Sequence, residues 1–320
     1  MAGGHLLFIC LSFFRKRDMR TIAFGYSTLC NLKCGHCVAK GEVPETATMD
    51  PGRAKELIHG LAAAGVRGIS FTAGEPLIFF NEIKELVRLC CNLGIYTRIV
   101  TNSFWATDRT RSDGVVSELK KSGLNQLRLS CSRWHQEGVN RQNLVNAAQS
   151  CEKNGVNYFV SFVTDFSKQD DILEDFLRAN KLRFFPEPLI LSGRAAEFDH
   201  GPICTDFQAN CCAMNPYITP ELDMYACCDA GSDFTETRVF FLGNIAGTNA
   251  DALFEKTEQN RLFKLIRTVG ISALALFAGL RARDIITYRK CDLCRELLNN
   301  PVTLEILQKA ADNQNIQWTR

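Results

Sequence analysis

The sequence predicts an α/β fold: an incomplete parallel barrel of six strand–helix units followed by a smaller cysteine-rich unit. Three observations lead there. Short β-branched runs alternate with helical patterns six times between residues 21 and 185, and strands joined by crossover helices form a parallel sheet. A closed barrel of eight such units takes ~250 residues, so six units in this span leave the barrel incomplete. Beyond the sixth unit the rhythm gives way to turn residues and grouped cysteines.

The strands are expected at Thr21–Gly25, Gly68–Thr72, Ile95–Thr101, Gln126–Ser130, Asn157–Thr164 and Leu182–Phe185. Asp50-Pro51 is a cap with proline at the first helical position, and Leu57, Ile58 and Leu61 keep helical spacing after it. A second helix opens at Asn81 with Ile83, Leu86, Val87 and Cys90 on one face and stops at Gly94. Further helices read at Val115–Lys121, Leu144–Lys153 and Ile172–Ala179, with the break near Pro186-Glu-Pro188. After it come a hairpin around Thr219–Tyr225 and a long helical stretch, Leu253–Leu280, whose apolar end Ile271–Leu280 is expected buried against the barrel. The organisation is then residues 1–20 as an extension outside the fold or an over-extended start, 21–200 as the barrel, and 201–320 as the second unit. The extension is apolar before it is basic, the reverse of a signal peptide.

With 46% apolar and 22% charged residues among 320, the chain can bury a large core. A net charge of +2 writes no broad electrostatic footprint for nucleic acid. The uncharged runs Ala2–Phe14 and Thr268–Leu280 are thirteen residues each, short of the roughly 18 a spanning helix needs. Neither nucleic acid nor membrane is therefore expected as a partner. Ten of the 15 cysteines cluster at 30/34/37, 204/211/212, 227/228 and 291/294. Thiols grouped this way in a long chain read as metal ligands in a reducing cytoplasm rather than as a disulfide scaffold. Cys90 and Cys151 fall on apolar helix faces and read as core.

Cys30-Asn-Leu-Lys-Cys34-Gly-His-Cys37 directly follows the first strand, at the face where parallel barrels carry their chemistry. Closed structural zinc and iron–sulfur sites use four protein ligands; three thiolates on a [4Fe–4S] cluster leave one iron open to a small molecule. A zinc site completed by His36 or a distant cysteine is the plainer alternative, although His36 adjoins Cys37 and neighbours rarely converge on one ion.

The Cys-x3-Cys-x2-Cys spacing after the first strand resembles the radical S-adenosylmethionine (SAM) enzymes. So does Thr72-Ala73-Gly74-Glu75-Pro76 at the end of the second strand, with Ala73 where that family's Gly-Gly-Glu-Pro loop has its first glycine. The resemblance implies an incomplete (β/α)6 TIM-like barrel that binds a [4Fe–4S] cluster and SAM and generates a 5′-deoxyadenosyl radical. It implies Cys30, Cys34 and Cys37 as iron ligands and His36, Ala73, Gly74, Glu75 and Pro76 beside the cofactor. Ser130 matches a position that contacts the SAM ribose, or is a turn-capping serine. Arg194, in Leu191-Ser-Gly-Arg-Ala195, approaches the SAM carboxylate or pairs with a surface acid. The electron for such an enzyme comes from a flavodoxin or ferredoxin.

Cys211, then Cys227-Cys228, then Cys291-Asp-Leu-Cys294 resembles the SPASM/Twitch extensions of these enzymes, as does Leu242-Gly-Asn-Ile245. The resemblance implies an auxiliary [4Fe–4S] cluster on Cys211, Cys227, Cys291 and Cys294, where the bare spacing also permits zinc. Cys212 leaves the ligand register open by one residue, and Cys204 is a further candidate. Neighbours in a strand face opposite ways, so Cys228 either faces the barrel mouth or is a small packed residue. The chain further resembles the radical SAM peptide epimerases, through Asn102-Ser-Phe-Trp105, Ser130 with Trp134-His135, and the Cys211 to Cys227-Cys228 separation. That implies a ribosomal-peptide substrate and Cys228 as hydrogen donor. Trp105, Trp134 and His135 line the substrate cavity or are core. Two other functions stay open: a dehydrogenase or peptide cross-linking enzyme whose auxiliary cluster accepts electrons, with a small-molecule substrate possible, and a zinc-stabilised binding protein without catalysis.

Overall fold

The computed structural model describes residues 20–38, 47–198, 215–228, 236–246, 249–280 and 290–313. The expectations for residues 1–19, for a unit boundary near residue 200, and for Cys204, Cys211 and Cys212 lie outside the described residues. Strands β1 (Arg20–Gly25), β2 (Val66–Thr72), β3 (Tyr96–Thr101), β4 (Gln126–Cys131), β5 (Asn157–Thr164) and β6 (Phe184–Pro188) occur in chain order. Each pairs in parallel with the next. The crossovers carry α1 (Pro51–Ala63), α2 (Phe80–Asn92), α3 (Arg109–Lys121), α4 (Arg133–Gln136), α5 (Gln142–Asn154) and α6 (Asp171–Ala179). This is the expected partial barrel.

The local causes are visible at the helix ends. Asp50 caps α1, its Oδ1 accepting from the Arg53 amide at 2.9 Å, with Pro51 next in line. Ile83, Leu86, Val87 and Cys90 of α2 are fully buried, each contributing on the order of 1.5–3 kcal/mol as apolar area leaves water. α2 begins at Phe80, one residue before the expected Asn81, after a 3₁₀ turn at Pro76–Phe79. α3 begins six residues ahead of expectation because Asp108 caps it (Arg111 amide, 2.9 Å). Its first turns hold no apolar residue from 109 to 114, so periodicity alone starts counting too late. β6 runs through Pro186 to Pro188, where the sequence suggested a break. It is the edge of the sheet, where a proline's missing N–H costs no ladder bond.

Beyond the barrel, β7 (Tyr217–Ile218) pairs in parallel with β1, and β8 (Asp223–Tyr225) and β9 (Phe241–Asn244) continue as antiparallel neighbours. One nine-stranded sheet therefore runs β6-β5-β4-β3-β2-β1-β7-β8-β9. The long C-terminal stretch is not one helix but α7 (Ala250–Gln259), α8 (Arg261–Val269) and α9 (Ile271–Phe277), interrupted at Asn260 and Gly270. The Asn260 side chain accepts from the Phe263 amide and restarts the helix. α9 packs on α8 and on α10 (Lys290–Leu298). Its Ile271, Leu274 and Ala275 are buried, while Leu276 and Phe277 are exposed, so the expectation of a wholly buried segment holds for one face only. α11 (Pro301–Asp312) closes the chain against α8. The core is continuous from Phe71 and Leu127 in the barrel to Phe263 and Leu297 in these helices. Among the described residues no helix is long and apolar enough to cross a membrane.

Candidate active site

Period-two geometry decides which strand residues look inward. Leu127 and Leu129 of β4 are fully buried on the helix side, while Gln126, Arg128 and Ser130 alternate with them and are partly accessible. Val100 on β3 and Ser161 on β5 share the inner face with Arg128 and Ser130, and all four line a cavity of about 440 Å³ at the C-terminal ends of the strands. The cavity's other walls are the loop after β1 (Cys30, Cys34, His36, Cys37), the loop after β2 (Ala73, Gly74, Glu75), Asn102 and His135, Glu187 to Ile190, Arg194, and Tyr217 to Glu221 with Cys228.

The cysteine loop is fastened from several sides. The Cys37 amide donates to the Cys34 carbonyl (3.1 Å), closing a turn, and the Leu32 amide donates to Cys30 Sγ (3.4 Å). Arg194 clamps the loop: its Nε donates to the Cys34 carbonyl (2.8 Å) and its amide to the Cys37 carbonyl (3.1 Å). It forms no ion pair among the described residues, so the expected alternative of a surface acid is not what holds it. Gly193, at φ +61°, is pressed to the same loop; a Cβ there would stand 2.4 Å from the Cys37 carbonyl oxygen.

Gly74 sits at φ +49°, and a Cβ on it would come within 2.3 Å of the Leu29 carbonyl oxygen. Only a residue without a side chain lets these two loops meet backbone to backbone. Ala73 beside it also has positive φ (64°). Glu75, at the wall of the cavity, is buried. Its carboxylate accepts from the Asn102 amide (2.7 Å), the Leu77 amide (3.1 Å) and the Thr101 hydroxyl, tying the β2 loop to the end of β3. Burial pushes its pKa up to about 7 against those three donors. Pro76 begins the 3₁₀ turn and does not line the cavity.

A carboxyl whose folded pKa exceeds its unfolded value near 4.5 gives stability that is present below 4.5 and is lost as pH rises through about 7. Glu75→Gln is therefore expected to flatten that fall when unfolding is followed from pH 5 to pH 8. At pH 5 the variant should be less stable by about 1–3 kcal/mol, since one amide loses its acceptor. An unchanged pH slope would mean the carboxyl does not titrate there.

The His36 ring stacks on Trp134 (centroids 4.8 Å, 23° between planes) and meets His135 edge-on at 4.7 Å. Burial lowers its pKa to about 2 and that of His135 to about 4, so both rings are neutral near pH 7. His36 Nδ1 is buried with no hydrogen-bond partner among the described residues. Trp134 lies between His36 and Phe198, packed beside Cys34, and Trp105 donates its indole N–H to Thr101 (3.0 Å). Neither tryptophan lines the cavity; His135 does.

Two donor sets overlap here. Cys34 Sγ and ring nitrogens of His36 and His135 lie within 4.8 Å of one another, a set suited to a small divalent ion. The other set is the three thiols. Burial first, then the neighbouring Cys37 and Cys30, push Cys34 up to about 12, and Cys30 is raised by burial as well. Thiols raised in this way, as Cys30 and Cys34 are, lose their protons far more readily beside a cation, and Gly74 lines the same cavity. The residues present fit a three-thiolate cluster with a small molecule alongside.

In the second cysteine group, Cys291 and Cys294 are buried on one face of α10, three residues apart. Asp292 between them accepts the Leu191 amide (2.6 Å), which seats α10 on the segment leading to Arg194. Cys227 and Cys228 follow the end of β8; Cys227 packs on the core and Cys228 lines the cavity. Arg128, Ser161, Glu187 and Tyr217 are cavity residues that the motifs do not announce. The available signal was a charge at the inward register of a barrel strand, as in Gln126-Leu-Arg128-Leu-Ser130.

At the C-terminal strand ends of this parallel partial barrel, three cysteines therefore line one cavity together with Gly74. Residues 26–143 match the radical SAM superfamily, and the chain carries a radical SAM domain whose relatives use a [4Fe–4S] cluster and SAM. GTP 3′,8-cyclase of Chlorobaculum tepidum is 32% identical over 122 residues, covering 38% of this chain and 35% of its own. YydG of Bacillus subtilis, named as a candidate peptide biosynthesis protein, is 22% identical over 135 residues, 42% of each chain. The chain thus spans less than half the length of these curated relatives. Among solved structures, anSMEcpe with bound AdoMet and Cp18Cys peptide superposes with a TM-score of 0.56 at 17% identity, covering 92% of this chain and 99% of that one. That likeness is one of fold.

Proposed function

We propose that this chain is a radical SAM enzyme that inverts a Cα centre of a ribosomal peptide, with Cys228 as the hydrogen-atom donor. The observation that carries the reading is the adjacent cysteine pair: Cys228 lines the cavity that holds Cys30, Cys34 and Cys37, and Cys227 does not. When bound, a [4Fe–4S] cluster on those three thiolates supplies, with SAM, a radical able to take one hydrogen atom from the substrate. The chain's own residues do the remaining work. His36, Ala73, Gly74, Ser130 and Arg194 wall the cofactor's side of the cavity, and Glu75 with Pro76 holds the β2 loop in place. Cys228 breaks its S–H bond and forms the new Cα–H bond on the opposite face. The sulfur then takes one electron and one solvent proton before the next turnover, the electron coming from a flavodoxin or ferredoxin.

Cys211, Cys227, Cys291 and Cys294, in a Twitch-like unit over residues 201–320, would hold an auxiliary [4Fe–4S] cluster, which would supply a path for that electron. The shared face of Cys291 and Cys294 supports it. The peptide substrate is supported by the similarity to YydG and by a shared fold in which anSMEcpe holds a peptide. The test is turnover, in heavy water, of a short precursor peptide sought among the products of the neighbouring genes. One deuterium at each inverted Cα is expected. A product two hydrogens lighter with no deuterium would replace this reading with a dehydrogenase or cross-linking enzyme. Bound zinc without iron or sulfide after anaerobic reconstitution would replace it with a binding protein.

A further inference from the structure

Arg128 and Glu187 form an ion pair inside the barrel, Nη2 to Oε2, and both line the cavity beneath the cysteine loop. Nη2 also donates to the Ser161 hydroxyl at 2.8 Å. The guanidinium is held from the side by Phe159, whose ring lies 5.9 Å from Arg128 and 5.6 Å from Arg98. Arg98 in turn is fixed by Gln126 (2.7 Å). The rest of the pair's hydrogen-bonding capacity is unused. Arg128 Nε is buried without a partner, and among the described residues Nη1 has none and Glu187 accepts only through Oε2. Orphaned donors on a charged group inside a protein are costly, and native sites that keep them are commonly built for a bound partner.

We infer that the Arg128–Glu187 pair reads the backbone of one extended substrate residue, Arg128 Nη1 donating to that residue's carbonyl and Glu187 Oε1 accepting from the same residue's N–H. The inference rests on the peptide reading above and deepens it. The pair keeps a free donor on Arg128 and a free acceptor oxygen on Glu187, which suit the carbonyl and N–H that one extended residue turns to the same side. It is also neutral as a unit, so it gains little from an anionic ligand. A carboxylate would find an arginine already answered by Glu187. With both side chains held before the substrate arrives, little further ordering opposes binding.

The test is equilibrium binding by saturation-transfer NMR to the reconstituted protein with SAM, without reductant. The probes are N-acetyl-L-alanine N-methylamide, which carries two peptide groups and no charge, and N-acetyl-L-alanine, which ends in a carboxylate. The variant is the double replacement Arg128→Leu with Glu187→Leu, which leaves no unpaired charge behind. The parent is expected to prefer the diamide, and the double variant to bind it about tenfold or more weakly. Should the double variant not fold, Arg128→Lys keeps the charge against Glu187 but loses the second donor edge, and the same weakening is expected. Equal diamide affinity in parent and variant overturns the inference, as does a parent that prefers the carboxylate. Because binding is read without turnover, the heavy-water experiment can fail while this one holds, and the reverse.

Discussion

A Cys34→Ala protein is expected to make no 5′-deoxyadenosine from SAM. Cys34 is 7% exposed and shares its pocket with the two other thiols of the loop. Alanine should fold there, because the loop is held by the Cys34 carbonyl, which accepts from Arg194 and from the Cys37 amide, not by the side chain. Two thiolates cannot retain a site-open cube. Iron should therefore fall from about eight to about four per chain if the auxiliary cluster is intact. The measurements are iron and sulfide content and 5′-deoxyadenosine by chromatography after anaerobic reduction, with Cys30→Ala and Cys37→Ala expected to behave alike. Continued SAM cleavage by Cys34→Ala would shift attention to the other donor set, Cys34 with His36 and His135, and to a different metal.

Cys228→Ala is expected to separate the two halves of the reaction. SAM cleavage should continue, because Cys228 holds neither iron nor cofactor in the proposed arrangement, yet inverted product should be lost. An S–H bond is weak enough to surrender a hydrogen atom to a carbon radical; a methyl group is not. The stranded substrate radical should be visible by electron paramagnetic resonance, or be quenched to the starting configuration. The readout is the ratio of 5′-deoxyadenosine to D-residue, near one in the parent and rising at least tenfold in the variant, about 1.4 kcal/mol or more of lost transition-state preference. A thiol that also exchanges with water accounts for deuterium entry in the parent. Full inversion by Cys228→Ala would falsify the donor assignment and leave the radical SAM domain untouched.

Much of the site was legible because its chemistry is local. Cys30, Cys34 and Cys37 lie within eight residues, so one loop delivers them wherever the strand before it ends. Thr72 to Pro76 was readable for the same reason, although the division of labour within it was not. Gly74 provides the close approach, Glu75 uses its carboxylate to brace β3, and Pro76 starts a 3₁₀ turn away from the cavity. Trp105 and Trp134 could be core or cavity by sequence, and burial sends both to the packed interior.

What the sequence by itself determined is the order of strands and helices in the barrel, the end of the sheet that bears the chemistry, and the thiol triad placed there. Hydrophobic periodicity and ligand spacing are short-range properties, carried by consecutive residues. What only the tertiary structure decided depends on segments far apart in the chain. The pairing of β7 with β1 makes the C-terminal strands a continuation of the barrel sheet and brings Cys228 rather than Cys227 to the cavity. The inward register of β4, β5 and β6 joins Arg128, Ser161 and Glu187 across 59 residues. The physical reason is that a one-residue change of strand register turns every side chain to the other face, and register is set by long-range packing that no local pattern records.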